Sequence, residues 1–256
     1  MLRTRVTAVK KQFGQHFLAD PNILGVIERL AELGPDDVVL EIGPGEGVLT
    51  RYLAERVRHV HAVEIDRELE PALRDIAANV DVVFGDALQL DLPQNATKLV
   101  ANLPYNVATP LIVESLDGLP NVGLWCVMVQ REVADRFFAT PGTKDYGAVS
   151  VLVQLAAERT GFHPVSRTVF RPPPNVDSAL VAFRRTELPA GYARIKQVVA
   201  AAFGHRRKTL PNSLALAGLV SREQAAAALD ALGRPVNTRA EALAPPEFVA
   251  LAEALG

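Results

Sequence analysis

Val38-Val-Leu-Glu-Ile-Gly-Pro-Gly-Glu-Gly-Val48 decides the fold. A β-branched run of strand length breaks into glycines spaced G-x-G-x-G, and good helix formers follow over Val48–Val57. The same order then repeats. His59–Ile65, Asp81–Asp86, Lys98–Asn102 and Leu124–Gln130 read as further strands bounded by turn residues, with a helical segment over Glu68–Ala78. Pro71 falls in the first turn of that segment, where a missing N–H does little harm. A βαβ rhythm predicts a mostly parallel sheet with helices on both faces, and ligands of such sheets gather at the carboxyl ends of the strands.

The pattern changes after Val129. Glu132–Ala139 and Ala148–Ala156 read as helices, and Phe162–Val165 and Ala179–Arg184 as strands separated by Arg171-Pro-Pro-Pro174, a late hairpin added to the sheet. Thr186–Gly191, with Pro189 and Gly191, makes a linker. Tyr192–Phe203, Arg222–Leu232 and Pro246–Ala254 are helical and suggest a small helical domain. The expected division is residues 1–187 for the α/β domain and 188–256 for the helical one.

Composition excludes several classes. Hydrophobic residues make up 49% and charged residues 22% of the 256, an ordinary globular balance. The longest apolar runs are short blocks such as Leu124–Val129, well under the ~18 residues of a membrane span, so no membrane partner is expected. The basic amino terminus lacks the apolar stretch of a secretory signal. Cys126 stands alone, which rules out an internal disulfide and favours a cytoplasmic location. The five histidines form no spaced ligand set with it, so no metal is expected. The net charge of −2 conceals an asymmetry: residues 1–17 carry +4, residues 18–160 carry −11, residues 161–208 carry +7 and the remainder −2. Two basic segments flanking an acidic body point to a local polyanion-binding face.

The strand ends describe a ligand. Gly43 and Gly45 permit close approach of backbone to a bound group. Glu64 closes the second strand, 17 residues after Gly47, where a carboxylate accepts from both hydroxyls of a ribose. Asp86 closes the third, placed to accept from an adenine amino group. Each acid alone would serve as a helix cap or solvated loop residue, the better reading for Asp66. Together they describe a nucleoside site without a phosphate clamp, as a sulfonium nucleoside requires.

The fourth strand ends in Asn102-Leu-Pro-Tyr105. An adenine amine is a poor nucleophile because its lone pair is delocalised into the ring. Acceptors aimed at both N–H bonds localise that pair; the Asn102 side chain supplies one and a backbone carbonyl held by Pro104, that of Leu103, the other. Tyr105 offers a flat face for a base drawn out of its stack. In-line displacement demands placement rather than a strong base, so no general base is assigned.

These residues resemble the small-subunit ribosomal RNA adenine dimethyltransferases, the kasugamycin-sensitivity methyltransferases. Lys11-Gln-Phe-Gly-Gln-His-Phe-Leu-Ala-Asp20, Lys144-Asp-Tyr-Gly147, Phe170-Arg-Pro-Pro-Pro-Asn-Val-Asp-Ser178 and Phe203-Gly-His-Arg-Arg-Lys-Thr-Leu210 are similar to further blocks of the family. The resemblance implies a Rossmann-like class I methyltransferase fold with a small C-terminal helical domain. It implies S-adenosyl-L-methionine as methyl donor, S-adenosylhomocysteine as product, and two adjacent adenosines in a 3′-terminal hairpin of 16S ribosomal RNA as targets, each becoming N6,N6-dimethyladenosine. The partner implied is the small ribosomal subunit or its precursor, met by a monomer. By matching positions, His16, Leu18, Gly43, Glu64, Asp86 and Asn102 become cofactor contacts, and Phe170 stacks on the target base opposite Tyr105. Arg206, Arg207 and Lys208, with Lys10 and Lys11, become candidates for RNA phosphate contacts. Two positions depart from the family's usual residues: His16 stands where asparagine is commoner, and Pro211 where many relatives are basic.

Three rival readings share parts of this pattern. A large-subunit adenine methyltransferase of the macrolide-resistance type has the same chemistry; a non-catalytic ribosome assembly factor would keep the fold; a nicotinamide oxidoreductase shares the βαβ plan. The Phe170–Ser178 and Lys144–Gly147 blocks oppose the first, intact Asn102–Tyr105 with Glu64 and Asp86 the second, and the glycine spacing the third.

Overall fold

The structure is a computed structural model and describes residues 16–205 and 207–256. In chain order the elements are β1 (Phe17–Leu18), α1 (Asn22–Ala31), β2 (Val38–Ile42), α2 (Val48–Ala54), β3 (His59–Glu64), α3 (Glu70–Leu73), β4 (Val80–Phe84), β5 (Lys98–Asn102), α4 (Ala108–Gly118), β6 (Leu124–Gln130), α5 (Arg131–Phe137), α6 (Ala148–Ala156), β7 (Ala157–Val165), β8 (Phe170–Arg171), β9 (Ser178–Arg185), α7 (Tyr192–Phe203), α8 (Leu210–Leu216), α9 (Arg222–Ala231) and α10 (Pro245–Leu255). A seven-stranded sheet runs in the order β4-β3-β2-β5-β6-β9-β7, and β1 pairs with β8 in a separate two-stranded ribbon. β2 pairs in parallel with β3 and β5, β3 with β4, and β5 with β6, whereas β9 lies antiparallel to β6. The strand order therefore reverses between β2 and β5, leaving a crevice at their carboxyl ends.

Burial on both faces explains why these strands read as unbroken apolar runs. All five residues of β2 are buried. Along β6, Leu124, Cys126 and Met128 join one core with Ile23, Leu24 and Ile27 of α1 and Leu49 and Leu53 of α2. Trp125 points to the opposite face, where it stacks on Phe183 at 5.2 Å and donates its indole N–H to Ser115 of α4 at 2.9 Å. Period-two alternation thus sends successive β6 side chains into two cores.

The chain divides into two compact units. One runs up to Ala134 and resumes over Arg159–Arg185; the other comprises Asp135–Glu158 and Thr186–Gly256. The change of unit at Thr186 falls beside the 187/188 boundary expected from sequence, but α6 also groups with the helices. The cause is packing: α6 buries Val151, Leu152 and Val153, and Tyr192 of α7 donates its hydroxyl to the Leu152 carbonyl at 3.0 Å. Tyr146 donates to Leu243 O at 2.8 Å, and Phe203 stacks on Phe248 at 5.8 Å. The segment expected to be helical over Glu68–Ala78 is shorter, because Arg74 turns extended at ψ 131° and Asp75 takes a left-handed φ of 53°. No helix among the described residues is long and apolar enough to cross a membrane.

Candidate active site

The crevice at the strand reversal holds two adjoining hollows. The first is lined by residues of His16–Leu18, the β2 turn, Glu64 and Asn102–Tyr105. The second reaches along Gly85–Leu88 and shares Gly43, Glu64, Ile65 and Pro104 with the first. Asp86 lines the second hollow, so the four strand ends singled out by sequence line the two adjoining hollows between them.

The glycine turn is shaped for close approach. Gly43 and Gly45 have φ of 78° and 60°, values that side-chain-bearing residues rarely adopt. A Cβ on Gly45 would lie 2.9 Å from the Phe17 ring, and one on Gly43 would meet Pro104 at 3.2 Å. The turn is thereby wedged between the β1 segment and the Asn102–Tyr105 turn.

Glu64 knits the cleft together. Its Oε2 accepts from Gly45 N–H at 3.1 Å and its Oε1 from Asp66 N–H at 2.9 Å, while the side chain is almost fully buried. Burial pushes its pKa up, and the two backbone donors oppose that shift. Asp86 is less enclosed. Its carboxylate accepts from Leu88 N–H at 3.0 Å and from the Gln89 amide at 3.1 Å, which steadies the turn after β4.

Asn102 ends β5 with a defined orientation. Its Nδ2 donates to the His16 carbonyl at 3.0 Å, so the amide oxygen is the atom left for the cleft that Asn102 lines. Leu103 is buried, and its N–H donates to Met128 O at 3.0 Å, anchoring the next peptide to β6. Tyr105 shares a 2.6 Å hydrogen bond with the Ser178 hydroxyl and lies 5.5 Å, ring to ring, from His16. The His16 ring also meets Phe170 edge-on at 6.5 Å, and its Nδ1 lies 2.8 Å from the Pro172 carbonyl oxygen. Leu18 is buried and pairs across β1 and β8 with Phe170.

Not every expected residue joins the cleft. Phe170 is only 1% exposed and packs in the core with Leu18 and Met128 rather than lining either hollow. Arg207 and Lys208 are exposed in the turn between α7 and α8, in the helical unit. Lys10, Lys11 and Arg206 lie outside the described residues.

The structure adds contributors that the sequence reading passed over. Phe17 covers the glycine turn, Ser178 holds Tyr105, and Glu41 lines the first hollow. Glu41 is the most telling, an acid inside a wholly buried strand. It is 1% exposed, its Oε2 has no hydrogen-bond partner, and burial pushes its pKa up to about 8, with the nearby Glu64 charge adding to the shift and Thr50 opposing it. A buried carboxyl facing a cleft beside a second buried carboxylate suits a cationic ligand.

Comparison with known proteins agrees with this geometry. A family profile described as "Ribosomal RNA adenine dimethylase" matches residues 6–253. A protein of Rubrobacter xylanophilus named ribosomal RNA small subunit methyltransferase A is 48% identical, covering 98% of this chain and 96% of that one. A protein of the same name from Pelotomaculum thermopropionicum is 44% identical over 99% of this chain and 93% of its own. Among solved structures, a dimethyladenosine transferase from Plasmodium falciparum superposes with a TM-score of 0.76 at 26% identity, covering 92% of this chain and 96% of that one. The 23S rRNA methyltransferase ErmE superposes with a TM-score of 0.66 at 32% identity, covering 93% and 99%.

Proposed function

The chain belongs to the ribosomal RNA adenine dimethylase family, and from that premise we propose how its cleft serves the reaction. It is an S-adenosylmethionine-dependent adenine dimethyltransferase of small-subunit ribosomal RNA. Bound S-adenosylmethionine supplies an electrophilic methyl group and leaves as S-adenosylhomocysteine. The cleft's own atoms fit that donor. Gly43 and Gly45, at φ of 78° and 60°, bring bare backbone to its wall, and two buried carboxyl groups, Glu41 and Glu64, face a ligand carrying positive charge.

In this reading Glu64 receives the ribose hydroxyls and Asp86 the adenine amine of the donor. His16 and Leu18, with the glycine turn, close the cleft beside Asn102. The Asn102 oxygen and the Leu103 carbonyl accept from the two N–H bonds of the target amine, while Tyr105 carries the flipped base on its face. Phe170 supports the opposite side indirectly, from the core, through its contact with the His16 ring. Because these groups place the amine and draw its lone pair out of the ring, the chain supplies orientation and preorganised dipoles rather than a base. The observation that carries the reading is the Asn102 amide, whose nitrogen is tied to the His16 carbonyl so that its oxygen serves the cleft.

The targets we infer are two adjacent adenosines in a hairpin near the 3′ end of 16S RNA, within the small subunit or its precursor. Exposed Arg207 and Lys208, with Arg206, Lys10 and Lys11, serve the phosphates, and the helical residues 188–256 contribute to the RNA-binding face. A cytoplasmic monomer belongs to the same reading. The test is incubation of labelled methyl donor with unmethylated small subunits and, in parallel, with large-subunit RNA, followed by mapping of modified nucleotides. Label is expected on two neighbouring adenosines and none on large-subunit RNA; label confined to large-subunit RNA would overturn the assignment. Neutralising Arg207 and Lys208 together is expected to weaken RNA binding uniformly and lower the slope of log K against log salt by about 2.

Glu41 yields a second expectation. With a pKa of about 8 in the ligand-free protein, its carboxyl is mostly protonated at pH 7. A cation arriving beside it favours the ionised form, so binding releases a proton and affinity rises with pH between about 6 and 8. Calorimetry at pH 6.5 in buffers of different ionisation enthalpy is expected to show release approaching one proton per chain, abolished in Glu41→Gln. Equal heats in all buffers for the wild type would show that Glu41 does not ionise on binding.

A further inference from the structure

At the far ends of β3 and β4 from the cleft, three metal-ligating side chains converge. His59 and His61 are alternate residues of β3 and share a face of the sheet, and Asp81 of β4 is the register partner of His61. His59 Nε2 lies 3.0 Å from Asp81 Oδ2, and His61 Nδ1 lies 4.0 Å from the same oxygen. All three donor atoms fall within 4.8 Å of one another, and the imidazole rings meet edge to face at 4.5 Å. Tetrahedral coordination at bond lengths near 2.0–2.1 Å sets ligand atoms about 3.3 Å apart, so side-chain adjustments of about an ångström close the site.

Ordinary hydrogen bonding leaves the cluster incomplete. The 4.0 Å separation between His61 Nδ1 and the carboxylate exceeds hydrogen-bonding reach, and the buried His61 Nε2 meets no partner at bonding geometry. Packing therefore holds the ring, and its Nδ1 faces an oxygen already approached by a second imidazole. Burial and the neighbouring His59 both oppose charging of His61, with Asp81 and Asn95 working the other way. The side chain of Asp81 is 68% exposed, which leaves an open position for water and a path for an ion to enter.

The geometry points to a divalent transition-metal site formed by His59, His61 and Asp81, with water completing the shell. Two imidazoles and one carboxylate suit Zn2+ or Co2+, whereas Mg2+ and Ca2+ favour all-oxygen shells. Linear spacing conceals the site, because Asp81 lies twenty residues beyond His61 and only strand pairing joins them; the expectation of no metal considered the histidines with the single cysteine alone. The ion would clip the edge strand β4 to β3, the two strands that end at Asp86 and Glu64. Its role is structural, remote from methyl transfer.

The test uses tag-free full-length protein stripped with chelator and titrated with ZnCl2 or MgCl2 by calorimetry and thermal unfolding. One Zn2+ per chain is expected at micromolar affinity, raising the unfolding midpoint by about 5 °C at a hundredfold excess over Kd, with no response to Mg2+. Co2+ is expected to give the visible absorption of a four-coordinate site. The exposed Asp81→Asn change is expected to weaken Zn2+ binding at least about tenfold, and His59→Asn with His61→Asn to abolish it, with cofactor binding intact as a check on folding. Should the double variant not fold, Asp81→Asn alone decides. No Zn2+ response in the wild type, or undiminished binding in Asp81→Asn, overturns the proposal.

Discussion

Replacing Asn102 with alanine is expected to lower methyl transfer by about 10²–10³-fold while S-adenosylmethionine still binds within about tenfold of wild type. The asymmetry follows from what the side chain touches. One end is committed to the His16 carbonyl at 3.0 Å, and the other is assigned to the target amine rather than the donor's ribose or adenine. Losing it removes an acceptor fixed before the base arrives, an interaction most valuable when the lone pair turns toward the methyl group. Asn102→Asp separates orientation from acceptance. The carboxylate keeps an acceptor for the amine but cannot donate to His16, and the two oxygens would repel, so activity is expected to stay well below wild type. Single-turnover methylation with saturating donor and RNA, alongside equilibrium binding of the donor, measures both quantities. Turnover in Asn102→Ala within about threefold of wild type would remove the residue from the mechanism.

The parts of this molecule readable in the sequence are those where one physical demand acts at short range. Leu124–Gln130 was delimited to the residue because a strand buried on both faces must be apolar throughout and ends where polarity returns. The glycine turn was readable for the same reason, since side chains rarely adopt those φ values and a Cβ on Gly45 would press on the Phe17 ring. The start of α1 was legible too, since Ile23, Leu24, Ile27 and Ala31 follow helical spacing and Asp20, ahead of Pro21, accepts from Asn22 N–H at 2.9 Å, yet the sequence reading names no helix there. The grouping of α6 with the helical unit was not readable, since an apolar helix does not state which core receives it. At the site, strand ends could be ranked but not joined. That Asn102 is steered by the His16 carbonyl, Tyr105 by Ser178, and Glu64 by the Gly45 and Asp66 amides depends on contacts between residues up to 86 positions apart in the case of Asn102. Phe170 illustrates the converse. The family resemblance implied a place for it on the target base, whereas the pairing of β8 with β1 buries it against Leu18, as a phenylalanine ahead of a proline turn would by itself suggest.

Glu64 is the position where the second large effect is expected. Truncation to alanine removes the proposed acceptor of two ribose hydroxyls and strands two backbone donors, those of Gly45 and Asp66, in a buried setting. Hydrogen bonds to a charged acceptor contribute about 1.5–3 kcal/mol each, so Kd for S-adenosylmethionine is expected to rise about a hundredfold or more. Glutamine is the sharper probe because it preserves size. Both carboxylate oxygens already accept a backbone N–H, and an amide has only one oxygen. Its NH2 group must therefore face either the Gly45 or the Asp66 donor, which disturbs the glycine turn or the β3 end whichever way it rotates. A weakening of about tenfold is expected for Glu64→Gln, with the loss equal for S-adenosylhomocysteine, since product and donor share the ribose. Because methyl transfer itself is assigned to Asn102–Tyr105, saturating donor should restore most of the turnover in Glu64→Gln, in contrast to Asn102→Ala. Wild-type affinity in the glutamine variant would mean that neither the charge nor the paired backbone contacts matter to the donor, and that its ribose is read somewhere other than the end of β3.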